Sequence, residues 1–124
     1  MLTYDVDGTI LKLTLKGTPS EGQRALVHAE IANDPRVPPG ALVLIDITRA
    51  DPIDDVAEMQ RRTRLLTDRL GSKLGPAVAV VVPPRLTEIS EKFLALRTDP
   101  AGLRVALFRD EPAARQWLAT FEVR

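Results

Sequence analysis

The 124-residue chain contains no cysteine, which excludes a disulfide framework and any metal site built on thiolates. No cysteine accompanies its only histidine, His28, so a zinc site is not expected either. Charge of one sign is also missing. Seventeen Lys and Arg balance seventeen Asp and Glu, so general nucleic-acid binding, which wants a basic excess, is not expected. Long apolar runs are absent. The longest, Ala77 to Val82, is far too short to cross a bilayer, and no membrane insertion is expected. The opening Met1-Leu2-Thr3-Tyr4-Asp5 lacks the basic-then-apolar pattern of a secretory signal, and the expected location is the cytoplasm.

What is present is the composition of an ordinary globular protein: 44% hydrophobic and 27% charged residues. This length suits one compact domain over residues 1–124 and needs neither metal nor disulfide to fold. Leu2, Tyr4 and Val6 alternate with polar residues, as do Leu11, Leu13 and Leu15, and two half-buried strands follow from that period of two. Asp7-Gly8 between them is the dipeptide of a tight type I′ hairpin turn. Thr18-Pro19-Ser20-Glu21 reads as a helix start, with Thr18 as cap, proline at the first helical position and an acid in the first turn. That helix runs to about Ala32 and carries Leu26, Val27, Glu30 and Ile31 on one side.

Ala41 to Ile47, apolar but for Asp46, and Ala77 to Val82 are apolar runs, as expected of strands covered on both faces, and Leu103 to Phe108 is a last strand. Thr48 to Pro52 reads as a loop. Helices are predicted over about Ile53 to Leu70, with Val56, Met59, Thr63, Leu66 and Leu70 as its seam, and over Thr87 to Leu96. A last helix is capped by Asp110, with Ala114, Trp117, Leu118 and Phe121 as its stripe. The resulting order, ββαβαβαβα, predicts an α/β domain with a mixed four- to five-stranded sheet, an N-terminal antiparallel hairpin and helices packed on the sheet.

Few residue patterns carry chemistry. Asp5-Val6-Asp7-Gly8-Thr9 is similar to the nucleophile loop of haloacid-dehalogenase-type phosphatases, and a magnesium-dependent phosphatase built on Asp5 and Asp7 is one alternative function. It is disfavoured. The acidic pair Asp54-Asp55 precedes Lys73 instead of following it, and the later strand ends in Pro83-Pro84 where a metal-binding acid belongs. Asp51, Asp54, Asp55 and Glu58 gather at the start of the second helix, where acids complement the helix dipole. Arg61, Arg62, Arg64 and Arg69 follow on the same helix and read as a solvated face. No serine stands in a Gly-x-Ser-x-Gly setting, and Gly71-Ser72-Lys73-Leu74-Gly75 lacks the spacing of a phosphate loop. No catalytic residue, cofactor or metal ligand emerges.

The element order, Leu44-Ile45-Asp46-Ile47-Thr48 at the end of a buried strand, and the closing run from Phe108 to Leu118 resemble the SpoIIAA-like branch of the STAS domains (sulfate transporter and anti-sigma-factor antagonist), grouped with Sec14-like folds. The resemblance spans nearly the full length. It implies a small bacterial cytoplasmic protein with that fold. In the antagonist branch a strand-end Asp is followed by a loop and then by Asp-Ser, whose Ser a partner kinase phosphorylates. Asp46 matches the strand-end acid, Ile53-Asp54 match the residues before the switch, and Asp55 stands in place of the Ser, so a serine-kinase switch is not carried over. The leading expectation is a non-catalytic module that binds a protein partner or a small ligand through Asp46, Thr48, Asp54, Asp55 and Glu58, as monomer or homodimer. Carriage of a lipid or hydrophobic ligand is the alternative that the Sec14 kinship implies.

Overall fold

The computed structural model describes residues 1–51, 56–83 and 104–121. Five described strands form one sheet in chain order: β1 (Leu2–Asp7), β2 (Ile10–Gly17), β3 (Ala41–Ala50), β4 (Leu74–Val81) and β5 (Arg104–Phe108). β1 and β2 pair antiparallel, and β2, β3, β4 and β5 are mutually parallel neighbours. The described helices are α1 (Glu21–Ala32), α2 (Val56–Leu70) and α3 (Glu111–Ala119). The predicted helix over Thr87 to Leu96 lies outside the described residues. The mixed α/β sheet with its N-terminal hairpin is as the sequence predicts.

Strand alternation sorts the core into two layers. Leu11, Leu13, Val43, Ile47, Val78, Val80 and Val105 point to one face, where Val27 and Ile31 of α1 and Leu66 and Leu70 of α2 meet them. The side chains of Val56, Met59 and Thr63, the rest of the predicted α2 seam, lie outside the described ones. Ile10, Leu42, Leu44, Ala77, Ala79 and Val81 point to the other face, which Ala114 and Leu118 of α3 cover. Successive crossovers of one hand along the sheet put α1 and α2 on the same side. Asp110 caps α3 as predicted, its Oδ1 accepting from the Ala113 amide at 2.8 Å. Phe108 and Phe121 flank Trp117 with ring centroids 5.6 and 4.7 Å away.

Four local expectations are corrected. The hairpin turn is Gly8-Thr9, because Asp7 pairs with Ile10. Gly8 alone has positive φ, at +59°, which fits a type II′ turn, where only the first central residue needs it. The α1 cap is Ser20, whose hydroxyl accepts from the Gln23 amide at 3.1 Å, while Thr18 bonds elsewhere. Leu26 is 61% exposed; the inward positions of α1 are Arg24, Val27, His28 and Ile31. Finally, β3 continues through Thr48 to Ala50 instead of turning, because Arg49 and Ala50 still pair with Lys16 and Gly17 of β2 after a register shift.

Candidate functional site

Parallel strands aim their C-terminal ends at one edge of the sheet, and there β2 passes into α1 and β3 passes towards α2. The two connections are tied. The Thr18 hydroxyl donates to Asp51 Oδ2 at 2.7 Å, and the Asp51 amide donates to the Gly17 carbonyl at 3.0 Å. The pairing of Gly17 with Ala50 across the parallel strands delivers both groups to the same place.

The predicted site residues divide around this edge. Asp46 alternates with Ile45 and Ile47 and so shares the α3 side of the sheet with Leu44. Its Oδ1 accepts from both the amide and the hydroxyl of Thr48, at 2.9 and 2.7 Å. Glu58 belongs to α2, on the opposite face. Asp54 and Asp55 lie outside the described residues. The edge therefore brings Asp46 and Thr48 together and does not bring Glu58 to them.

Glu58 is instead the centre of an ion-pair network. Its carboxylate accepts from Arg61 Nη2 at 2.7 Å and Nε at 2.8 Å, and from Arg62 Nε at 2.8 Å. Hydrogen bonds from Arg61, then Arg62, hold its pKa down at about 2. Arg61 also reaches across to Glu21 of α1 at 3.0 Å. Arg69 lies 3.9 Å from Glu21 and places Nη1 3.2 Å from Nδ1 of His28. His28 is 7% exposed, and desolvation, followed by repulsion from Arg69 and Arg24, pushes it down to about 4.

Sequence reading missed Arg24. It is 6% exposed, with Nε donating to the Pro19 carbonyl at 3.3 Å. Its Nη2 is buried and has no hydrogen-bond partner among the described residues. Burial lowers its pKa first, and the nearby Arg62 lowers it further. The signal was available: Arg24, Val27, His28 and Ile31 stand at i, i+3, i+4 and i+7, the spacing of one helix face.

Two other polar clusters have structural work to do. Tyr4 donates to Asp34 at 2.9 Å, and Arg36 grips the same carboxylate with Nη2 at 2.8 Å, holding Asp34 far below the usual carboxylate range. Lys12 and Arg115 both reach Glu111, at 2.6 and 2.8 Å, and Arg115 also pairs with Asp7 at 2.8 Å, fastening α3 to the hairpin. The phosphatase constellation is dispersed. Asp7 stands at the hairpin turn, beside the start of the parallel strands, whereas Thr48 is near the end of β3. Lys73 precedes β4 and donates to the Asp34 carbonyl at 3.1 Å.

Among the described residues no cluster of metal-ligating side chains occurs, and no helix is long and apolar enough to cross a membrane. No protein-family model matches the chain, and no curated protein does. Among solved structures the chain is similar to an uncharacterised DUF3478-family protein from Shewanella loihica PV-4 with a SpoIIAA-like fold. The match has 19% identity, covers 95% of this chain and 92% of that one, and has a TM-score of 0.60. Identity at that level speaks to architecture alone, and the architecture of this chain is a SpoIIAA-like fold.

Proposed function

We propose that this chain is a non-catalytic binding or regulatory module of the cytoplasm, engaging a protein partner or a small ligand at the C-terminal edge of its parallel strands. The described members of that surface are Asp46 and Thr48 on one side of the sheet and Glu58 of α2 on the other, and the sequence adds Asp54 and Asp55, which lie outside the described residues. The observation that carries the reading is the Thr18–Asp51 tie, which fixes the two strand-to-helix connections beside each other. Open α/β sheets bind at this edge because the strands hold the loops in place, and helix N-termini offer unbonded N–H groups.

The test is a thermal-shift screen against nucleotides, magnesium with phosphate analogues, and fatty acyl ligands, run beside partner capture with wild type and an Asp54→Lys, Asp55→Lys variant. A ligand at one hundred times its Kd adds about 2.7 kcal/mol to stability, a resolvable rise in Tm. A shift with one class, or a partner lost on charge reversal, supports the reading. A flat screen together with capture that charge reversal leaves intact overturns it.

A further inference from the structure

Among the described strands, β1 has a neighbour on one side only, β2. The Lys16 amide donates to the Met1 carbonyl at 2.8 Å, and the Met1 amino group donates to the Lys16 carbonyl. Met1 and Lys16 therefore exchange both bonds, as every second pair of an antiparallel ladder does. Stepping along the register, Thr3, Asp5 and Asp7 turn their backbone groups towards Thr14, Lys12 and Ile10 of β2. Leu2, Tyr4 and Val6 turn theirs the other way, out of the sheet.

A row of outward backbone groups is a template for another strand. The side chains of Leu2, Tyr4 and Val6 add an apolar face to it, packed against the α1 side of the core. Two of these outward amides are nevertheless occupied. The Leu2 amide donates to Gln23 Oε1 of α1 at 3.2 Å, and the Val6 amide donates to Asp5 Oδ1 at 2.9 Å. Ser20 and Gln23 have the spacing of a capping box, in which the glutamine oxygen accepts from the cap amide. Here that oxygen is given to Leu2 of the strand border. The occupant this border fits is a second copy of β1. In an antiparallel contact centred on Tyr4, Tyr4 meets Tyr4, and Leu2 meets Val6 on either side, which closes as a two-fold dimer. Only the central pair avoids the Leu2 and Val6 amides; both flanking pairs draw on them.

We propose that Gln23 and Asp5 are built-in blocks on the β1 border: by occupying the Leu2 and Val6 amides they keep two copies of this chain from joining their sheets through antiparallel β1 strands. The two blocks differ in kind. Gln23 brings its oxygen from a helix 21 residues away in sequence, so it holds only while α1 is docked on β1. Asp5 acts within the strand, on the amide that follows it. The proposal concerns the open side of β1 and does not depend on the binding surface at the C-terminal ends of the parallel strands.

The test is sedimentation equilibrium of the full chain over a concentration series, with amide hydrogen exchange at Tyr4 read on the same samples. The Tyr4 amide of wild type should exchange at one rate at every concentration. Gln23→Ala, Asp5→Ala and the double variant should dimerise, and exchange at Tyr4 should slow as they do. Each block removed should tighten the association about tenfold or more, because symmetry frees the same amide in both copies. Asp5→Asn keeps the Oδ1 acceptor and loses the charge, so it should behave as wild type. Asp5 is exposed, so its variants carry the test if Gln23→Ala folds poorly. A double variant that stays monomeric, or one that dimerises with Tyr4 exchange unchanged, overturns the proposal. So does a wild-type dimer that protects Tyr4. Association of Asp5→Asn as strong as that of Asp5→Ala would show that charge, not the occupied amide, keeps the copies apart, and overturns it as well.

Discussion

Arg69 donates from Nη1 to Nδ1 of His28 across 3.2 Å, from the last turn of α2 to the middle of α1. Arginine is only a donor, so Nδ1 is the acceptor, and the imidazole proton of the neutral ring is on Nε2. Protonating His28 would break this bond and set two cations against each other. Its folded pKa of about 4 is below the unfolded value of 6.5, so the unfolded chain binds the proton first. Stability is therefore full above pH 6.5 and falls as pH drops towards 4, by roughly 3 kcal/mol at most. The lowered carboxylates Glu21, Glu58 and Glu111 act in the same direction, but only below their unfolded value of 4.5. Urea unfolding of His28→Gln should show a flatter slope between pH 6.5 and 5. An unchanged slope would sink this assignment.

The Thr18–Asp51 bond is exposed, yet it joins two chain segments 33 residues apart in sequence. Asp51→Ala and Thr18→Val should each cost about 1 kcal/mol. The double variant should cost less than the sum of the two, because one bond cannot be lost twice. Full additivity in a double-mutant cycle would show that the tie contributes nothing.

Two leucines separate burial from hydrophobicity. Leu118 is fully buried beneath the sheet, and Leu118→Ala should destabilise by about 2–5 kcal/mol. Leu26→Ala, at a position 61% exposed, should change stability by less than about 0.5 kcal/mol. A comparable loss at both positions, measured by chemical denaturation, would contradict the inward face given for α1.

Gly75 stands where β4 passes the start of β3, and a β-carbon there would overlap the Gly40 carbonyl. The obstacle is backbone, so no side chain can move aside. Gly75→Ala should destabilise by about 1–3 kcal/mol, as overpacking does, with a lower urea midpoint and an unchanged m-value. A midpoint equal to wild type would mean that the two strands part easily.

The sheet was legible because its signals are local and redundant. Alternation in β1 and β2, the apolar runs of β3 and β4, and the Asp110 cap each state their role within a few residues. What sequence reading missed depends on partners far along the chain. Thr48 looks like a loop residue until the pairing of Arg49 with Lys16 is known. Arg24 looks like surface because guanidinium groups are usually solvated, and only the helical spacing it shares with Val27, His28 and Ile31 points to its burial. At the candidate edge, Asp46 could be placed from the period of the strand. The separation of Glu58 from it follows from the side of the sheet on which α2 lies, which no short motif encodes.

Among the described strands, order in the sheet equals order in the chain, so none has to wedge between two that came earlier. Each strand, on emerging from a ribosome, meets a completed neighbour along a single growing border, and no earlier pairing has to open. The expected assembly is directional, with the hairpin as seed and β5 as the last addition. Pulse-labelled hydrogen exchange during refolding should protect amides of β1 and β2 no later than those of β4 and β5, and the reverse sequence would show that growth starts from the far side.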